Sequence, residues 1–356
     1  MTGDVPRCPN PDCREVVAVG DQYCEGCGEP IRREQEAARH QGLEVELAPP
    51  AGRPNGAHPR PDRETRGPSR VRDHVEILLP SVAGVSDRGA ERSRNEDAVR
   101  VGRAGSLATT LLVVCDGVSS TQSAARASQA AADAAITSLA AALDAGGQDV
   151  EKAMENAISA ARAAVSSIVY QPQAAKDPPS TTLVAAAIGG GQVTVGWVGD
   201  SRAYFVTESG TWQLSRDDTW AADQVAQGRL SELEAATDPR SHFLTRWLGS
   251  DQEIGAAPSV RTFEIEWPGL VLLCSDGLWN YLENADSLSE MVVDLGDGAS
   301  PEVIARTLTE FARAAGGHDN ITVAVAALGV AEVMRPADQL VLDTGSGRAA
   351  QGAGQG

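Results

Sequence analysis

Apolar runs of strand length recur along the chain, at residues 111–115 (LLVVC), 193–198 (VTVGWV) and 270–274 (LVLLC). Continuous runs of this length, bounded by Gly, Asp or Ser, predict buried strands. Between them the period lengthens. Ala-rich stretches at about 121–145 and 150–169 predict two helices, followed by strands from 181 to 214. Gly189-Gly190-Gly191 within that block predicts a hairpin. A polar helical insertion is expected at about 219–247, strands at 259–265 and 269–274, helices through residue 311, and a last strand at 321–328. The helices come in pairs between blocks of strands. That order predicts an α+β domain of helices on antiparallel sheets, not a βαβ repeat.

Acidic residues mark the ends of these runs. Asn95-Glu96-Asp97, Asp116-Gly117, Gly199-Asp200-Ser201, Ser275-Asp276-Gly277 and Asp319-Asn320 form five short patches, and Asp116, Asp200 and Asp276 each follow a strand-like run. A carboxylate at the end of a buried strand is costly to desolvate unless it is solvated, paired or bound to metal. Several such ends converging would gather like charges, which hard divalent cations hold together. The pattern points to a metal-dependent hydrolase.

Charge and cysteine content divide the rest of the chain. Residues 1–73 carry 11 Lys/Arg against 13 Asp/Glu, so −17 of the net −19 falls on residues 74–356. Such acidity disfavours direct nucleic-acid binding by the main domain. Cys8, Cys13, Cys24 and Cys27, at C-x4-C and C-x2-C spacing, offer four soft ligands to one tetrahedral zinc. A disulfide pair or a redox C-x2-C are the competing readings of the same spacing. A zinc ribbon is therefore expected at 1–30, and its two arginines among six acidic residues make protein contact a better use than nucleic acid. Residues 31–73 are rich in Pro, Gly and Arg and read as a flexible linker, and 331–356 read as a disordered Gly/Ala/Gln tail. The Ala-rich run is broken by Arg126, Gln129 and Asp133, so it is no membrane span. Without a signal-like N-terminus, a cytoplasmic, monomeric protein is expected.

The patches and their order resemble the metal-dependent Ser/Thr protein phosphatases of type 2C, in particular the bacterial branch. The matching stretches begin with Ser86-Asp87-Arg88-Gly89, Arg92-Ser93-Arg94-Asn95-Glu96-Asp97 and Val114-Cys115-Asp116-Gly117-Val118. They continue with Ser180-Thr181-Thr182-Leu183, Gly199-Asp200-Ser201-Arg202 and Leu244-Thr245-Arg246-Trp247-Leu248-Gly249. Cys274-Ser275-Asp276-Gly277-Leu278 and Gly317-His318-Asp319-Asn320-Ile321-Thr322 complete the series, all within a catalytic domain at 74–330. A lone Asp-Gly is only a turn signal, whereas the full set in order is specific.

The resemblance implies a four-layer α-β-β-α sandwich with two central antiparallel sheets. It implies that Asp116 bridges two divalent ions, that the Gly117 carbonyl completes one, and that Asp276 and Asp319 ligate the other. Glu96 and Asp97 would hold metal-bound waters, Asp200 would contribute to a third metal position, and Arg92 would grip the substrate phosphate in a bidentate fork. The all-oxygen ligand set suits Mn²⁺ or Mg²⁺, leaving Cys115 and Cys274 as small buried strand residues. The implied reaction is hydrolysis of phosphoserine or phosphothreonine by in-line attack of a hydroxide bridging two ions. Phosphorylated proteins made by a cellular Ser/Thr kinase are the implied partners. The sequence departs from the family at Val118-Ser119-Ser120, where some relatives carry a histidine, and at Asp217-Asp218, where many have Asp-His. Trp220 and Trp247 read as ordinary partly buried aromatics, with flap anchors as the alternative, and His318 reads as positional, not catalytic. The contrasting reading, a phosphatase-fold binding module docked through the ribbon, would have been favoured by loss of Asp116, Asp276 or Asp319, and all three are present.

Overall fold

Strand β4 (Thr109–Cys115) is buried along its whole length, so both of its faces need cover. Alternation along it shows what supplies that cover. Leu111 and Val113 pack with helix residues Leu139, Met154 and Ile158, whereas Leu112 and Val114 pack with Val271, Leu273 and Ala324 of a second sheet. The computed structural model describes residues 73–105, 109–147, 149–170, 177–251, 258–296 and 298–329. The predicted zinc ribbon at 1–30, the linker at 31–73 save its last residue, and the tail at 331–356 lie outside the described residues.

One antiparallel sheet runs β1 (His74–Leu79), β2 (Val82–Asp87), β13 (Ile321–Leu328), β12 (Gly269–Cys274), β8 (Arg202–Thr207), β9 (Gly210–Gln213). The other runs β11 (Ser259–Glu264), β7 (Gln192–Val198), β6 (Leu183–Gly189), β4, β3 (Ala98–Ala104). A small pair, β5 (Ser180–Thr181) and β10 (Leu248–Gly249), lies beside them in the chain's hydrogen-bonding pattern. Helices α1 (Ala124–Asp144) and α2 (Val150–Ser166) cover β3, β4 and β6. On the first sheet, Tyr204, Leu272 and Val325 meet Leu278, Leu288, Ile304 and Leu308 from α5 (Asp276–Trp279), α6 (Asp286–Asp294) and α7 (Pro301–Ala314). Three cores thus separate helices, sheet, sheet and helices. Among the described residues no helix is long and apolar enough to cross a membrane.

Local chemistry explains where the elements begin and end. The Ala-rich stretch predicted as helical from 121 starts three residues later, because Gln122 N donates to Asp177 O and Ser123 takes a left-handed φ of 58°. Helix α2 starts where predicted, with Asp149 capping Lys152 N, and Ser300 with Pro301 opens α7. The Gly189–Gln192 pair closes the predicted hairpin on Gly190 and Gly191, both at positive φ (63° and 77°). The insertion is less helical than expected. It holds only α3 (Trp220–Ala226) and α4 (Glu232–Ala236), the latter with a Ser231–Glu234 capping box. Gly228 at φ 65° separates them.

Register brings the acidic patches to one end of the sandwich. Asp87 pairs with Ile321, and Cys274 with both Val323 and Arg202, so the chain segments reaching Arg92, Asp319, Asp276 and Asp200 are neighbours. In the facing sheet Ala98 pairs with Cys115, which sets Asp97 beside Asp116.

Candidate active site

Strand ends supply the carboxylates, and the loops are locked by backbone bonds. Asp116 leaves β4 with its carbonyl accepting from Thr182 N (2.8 Å) and Thr181 Oγ1 (2.7 Å), while its own N–H donates to Thr182 Oγ1 (3.1 Å). Gly117 is bridged to Thr181. Asp276 opens α5, its Oδ2 accepting from Asn280 Nδ2 at 3.3 Å. Asn320 ties the remaining loops together. Its Oδ1 accepts from Glu96 N (2.7 Å), and its Nδ2 donates to Arg88 O (2.8 Å) and Arg94 O (2.9 Å). The approach is tight enough that a Cβ on Gly89, at φ 77°, would overlap the Asp319 carbonyl.

The predicted residues separate by depth. Asp116, Asp276, Asp319 and Arg92 keep part of their surface in solvent, whereas Glu96, Asp97 and Asp200 are buried behind them. Asp97 Oδ2 accepts from Thr322 Oγ1 (2.7 Å) and Ser275 Oγ (2.9 Å). Glu96 is held by Arg94 Nε at 2.8 Å. Arg92 Nη2 donates to Asp319 Oδ2 at 2.6 Å. Burial opposes the Arg92 charge, but the fields of Asp319, Asp116 and Asp276 outweigh it and raise its pKa.

The carboxylates repel one another. Burial first, and neighbouring acids next, push Asp97 and Asp276 up to about 7, although Thr322 and Ser275 hold Asp97 back. The same two causes drive Asp116 and Asp200 well above the ordinary carboxylate range. Asp97 Oδ1 and Asp276 Oδ1 are buried without a hydrogen-bond partner. Two orphaned anionic oxygens inside a cluster of acids are the donor set that hard divalent cations satisfy, so the residues fit such ions. Among the described residues no three acidic, His or Cys side chains close on a single point unaided.

Trp279 and His242 support the site without a distinct sequence signal, alongside residues that the sequence did single out. Trp279 Nε1 donates to Asp200 O at 3.0 Å, so a side chain from the α5 turn fixes the Asp200 loop. Its ring lies under the Arg202 guanidinium (3.7 Å) and stacks on His242 (6.1 Å). Asp217 pairs with Arg202 at 2.7 Å. Asp218 joins both ends of the insertion to the same loop, exchanging bonds with Gly199 (Gly199 N to Oδ2, 3.0 Å; Asp218 N to Gly199 O, 2.9 Å) and accepting from Thr245 N (2.8 Å). Of the candidate anchors, Trp220 lies beneath Arg240 (3.9 Å) and Trp247 donates to Asp251 (3.1 Å). A cavity of about 520 Å³ opens between α3, α4 and Trp279. Cys115 and Cys274 are buried free thiols, as expected.

The sequence profile of the family described as Protein phosphatase 2C matches residues 87–313, which contain every one of these carboxylates except Asp319. The chain belongs to the protein phosphatase 2C family. It is 30% identical over 256 residues to the serine/threonine protein phosphatase PstP of Mycobacterium tuberculosis, a match that covers 70% of this chain. The chain spans 45% of that relative's length. A crystal structure of a bacterial serine phosphatase superposes with a TM-score of 0.60 at 25% identity, covering 70% of this chain and 98% of the other. The catalytic domain of PstP in complex with two manganese ions is also similar, with TM-score 0.55, 29% identity, and coverage of 70% and 98%.

Proposed function

We propose that this phosphatase 2C chain is a metal-dependent protein Ser/Thr phosphatase. The observation that carries the reading is Arg92 set among Asp116, Asp276 and Asp319, a phosphate-matching cation inside a metal-binding set of acids. When bound, divalent cations supply an acidified water and neutralise charge at phosphorus. Asp116, the Gly117 carbonyl, Asp276 and Asp319 would hold two of them, Mn²⁺ or Mg²⁺, and Asp200 would serve a third. Arg92 turns from Asp319 to the phosphoryl oxygens, where its planar fork orients the ester for in-line displacement. Buried Asp97, fixed by Thr322 and Ser275, keeps Oδ1 to accept a water proton, and Glu96 does the same from the Arg94 side. The insertion borders the site through Asp218 and gives a phosphorylated segment a surface to lie on.

Supporting this are the family match and relatives named as serine/threonine phosphatases. The partners proposed are phosphoproteins produced by a cellular Ser/Thr kinase, met in the cytoplasm by a monomer. Cys8, Cys13, Cys24 and Cys27 are proposed to bind one structural zinc in a ribbon joined by a linker to the catalytic domain at 74–330. Metal analysis of the full chain should then return about one tightly held zinc. The enzyme is tested with p-nitrophenyl phosphate and a phosphothreonine peptide. Turnover is expected with Mn²⁺ or Mg²⁺ and none after EDTA; no turnover across both titrations would sink the proposal. Arg92→Ala should lower kcat/KM by about 10²-fold or more, a loss in the range measured for single transition-state donors.

A further inference from the structure

Two adjacent contacts join the loop that carries Arg92 to the loop that carries Asp319. Beside the Arg92–Asp319 bond, one residue earlier on each loop, Glu91 Oε1 lies 2.8 Å from His318 Nδ1. The pair brings an imidazole nitrogen and a carboxylate oxygen to ion-pair distance across the two loops. The backbones are tied as well, with Ala90 N and Glu91 N both donating to Gly317 O (2.8 and 3.2 Å). On its other side His318 N donates to the Tyr281 hydroxyl at 2.9 Å, and the two rings stack at 6.2 Å. Tyr281 in turn donates its N–H to Leu278 O of α5, the helix that opens with Asp276. One histidine therefore touches the neighbours of all three: Glu91 beside Arg92, the turn after Asp276, and its own neighbour Asp319.

We infer that His318, clasped by Glu91 and Tyr281, is a positioning residue that fixes the spacing of Arg92 against Asp276 and Asp319. The inference rests on the phosphatase reading for the roles of those three residues. Stability alone does not account for the cluster. The His318 and Glu91 side chains are 62% and 35% exposed, and exposed pairs of this kind contribute about 0–1 kcal/mol. Geometry is the larger effect. Arg92 is a long side chain with several rotatable bonds, and displacing a substrate-positioning group by about 1 Å can cost on the order of 10²-fold in rate. The anchor lies one residue away on the backbone, where it restrains the loop without contacting substrate. Arg92 and Asp319 also face each other across this clasp, so the same restraint governs metal affinity.

The test uses the full chain with His318→Ala, His318→Asn and Glu91→Gln. Manganese affinity is read by calorimetry, which needs no turnover, alongside kcat and KM on a phosphothreonine peptide and Tm. In H318A, KM is expected to rise about tenfold and manganese affinity to fall several-fold, with Tm within about 4 °C of wild type. H318N returns an amide N–H near the position of Nδ1 and should recover most of the loss. Glu91→Gln combined with H318A should cost no more than H318A alone, because both remove one contact. A lowered Tm with unchanged KM and manganese affinity, an H318N variant no better than H318A, or additive losses would each overturn the inference. If the wild-type chain fails to turn over any substrate, the phosphatase reading falls, while the manganese affinities still decide whether the clasp sets the site.

Discussion

Asp97 and Asp276 each have a folded-state pKa raised from the ordinary 3.8 to about 7, by burial and by neighbouring acids. An acid shifted upward binds more protons folded than unfolded across that window, so the contribution of these two groups to metal-free stability is fully present below about pH 4 and is lost as pH rises toward 7. Each such group removes up to about 1.4 kcal/mol per pH unit over the range. Thermal melts of EDTA-treated protein should therefore show Tm falling between pH 5 and pH 7.5, and a flat or rising Tm would contradict the shifts. Asp97→Asn follows the same logic with the charge removed. It should raise the metal-free Tm at pH 7.5 while lowering manganese-dependent activity by about 10–100-fold, the usual cost of losing an outer-shell metal partner. A single residue then shows stability given up for function.

Elements carry the next level of constraint. The α5 turn is only four residues long, yet it presents Asp276 on one side and Trp279 to the Asp200 carbonyl on the other. Asp218 does comparable work for the insertion, holding Gly199 and Thr245 together. Asp218→Ala leaves the buried Gly199 N–H without its side-chain partner, a loss of about 1–3 kcal/mol. On the proposed reading, in which the insertion borders the peptide and not the small ester, KM should rise for a phosphothreonine peptide and hardly move for p-nitrophenyl phosphate. Equal effects on both substrates would argue against a substrate-facing insertion. The α1 face is a control without functional consequence. Leu139, fully buried between α1 and β4, should cost about 2–5 kcal/mol as Leu139→Ala, read by chemical denaturation, with kcat/KM kept where the protein stays folded.

At the scale of the whole molecule, charge and metal binding act on the same equilibrium. Residues 74–356 carry −17, and the acids at the site are its most confined part. Cations that bind only the folded chain stabilise it by mass action, about 2.7 kcal/mol at a hundredfold excess over Kd. Manganese should accordingly raise Tm and flatten its pH dependence together, whereas salt without divalent ions should raise Tm only through screening. Scanning calorimetry across the two titrations separates these contributions.

Much of the architecture was legible in the chain because burial writes itself into periodicity. The strands at Gly269–Cys274 and Ile321–Leu328 coincide with their apolar runs, and the start of α2 coincides with its Asp149 cap. Prediction failed where tertiary bonds override local preference. Gln122 and Ser123 were drawn out of α1 by Asp177 and a left-handed turn, and the polar insertion formed only two short helices. Asp116, Asp200 and Asp276 were visible individually because each follows a strand-like run that has no other reason to end in a carboxylate. The ranking of the acids came from the family resemblance and not from periodicity. In the fold, register and sheet stacking put Asp116, Asp276 and Asp319 at the mouth with Arg92 and bury Asp97, Glu96 and Asp200, since depth depends on residues more than a hundred positions apart. Thr322 and Ser275 around Asp97, Trp279 under Asp200, and Glu91 and Tyr281 around His318 are likewise decided only by the folded chain. The sequence by itself determined which groups can bear charge and where strands stop, because those depend on local chemistry. Tertiary structure decided which charges meet, because electrostatic coupling depends on distance in space and not along the chain.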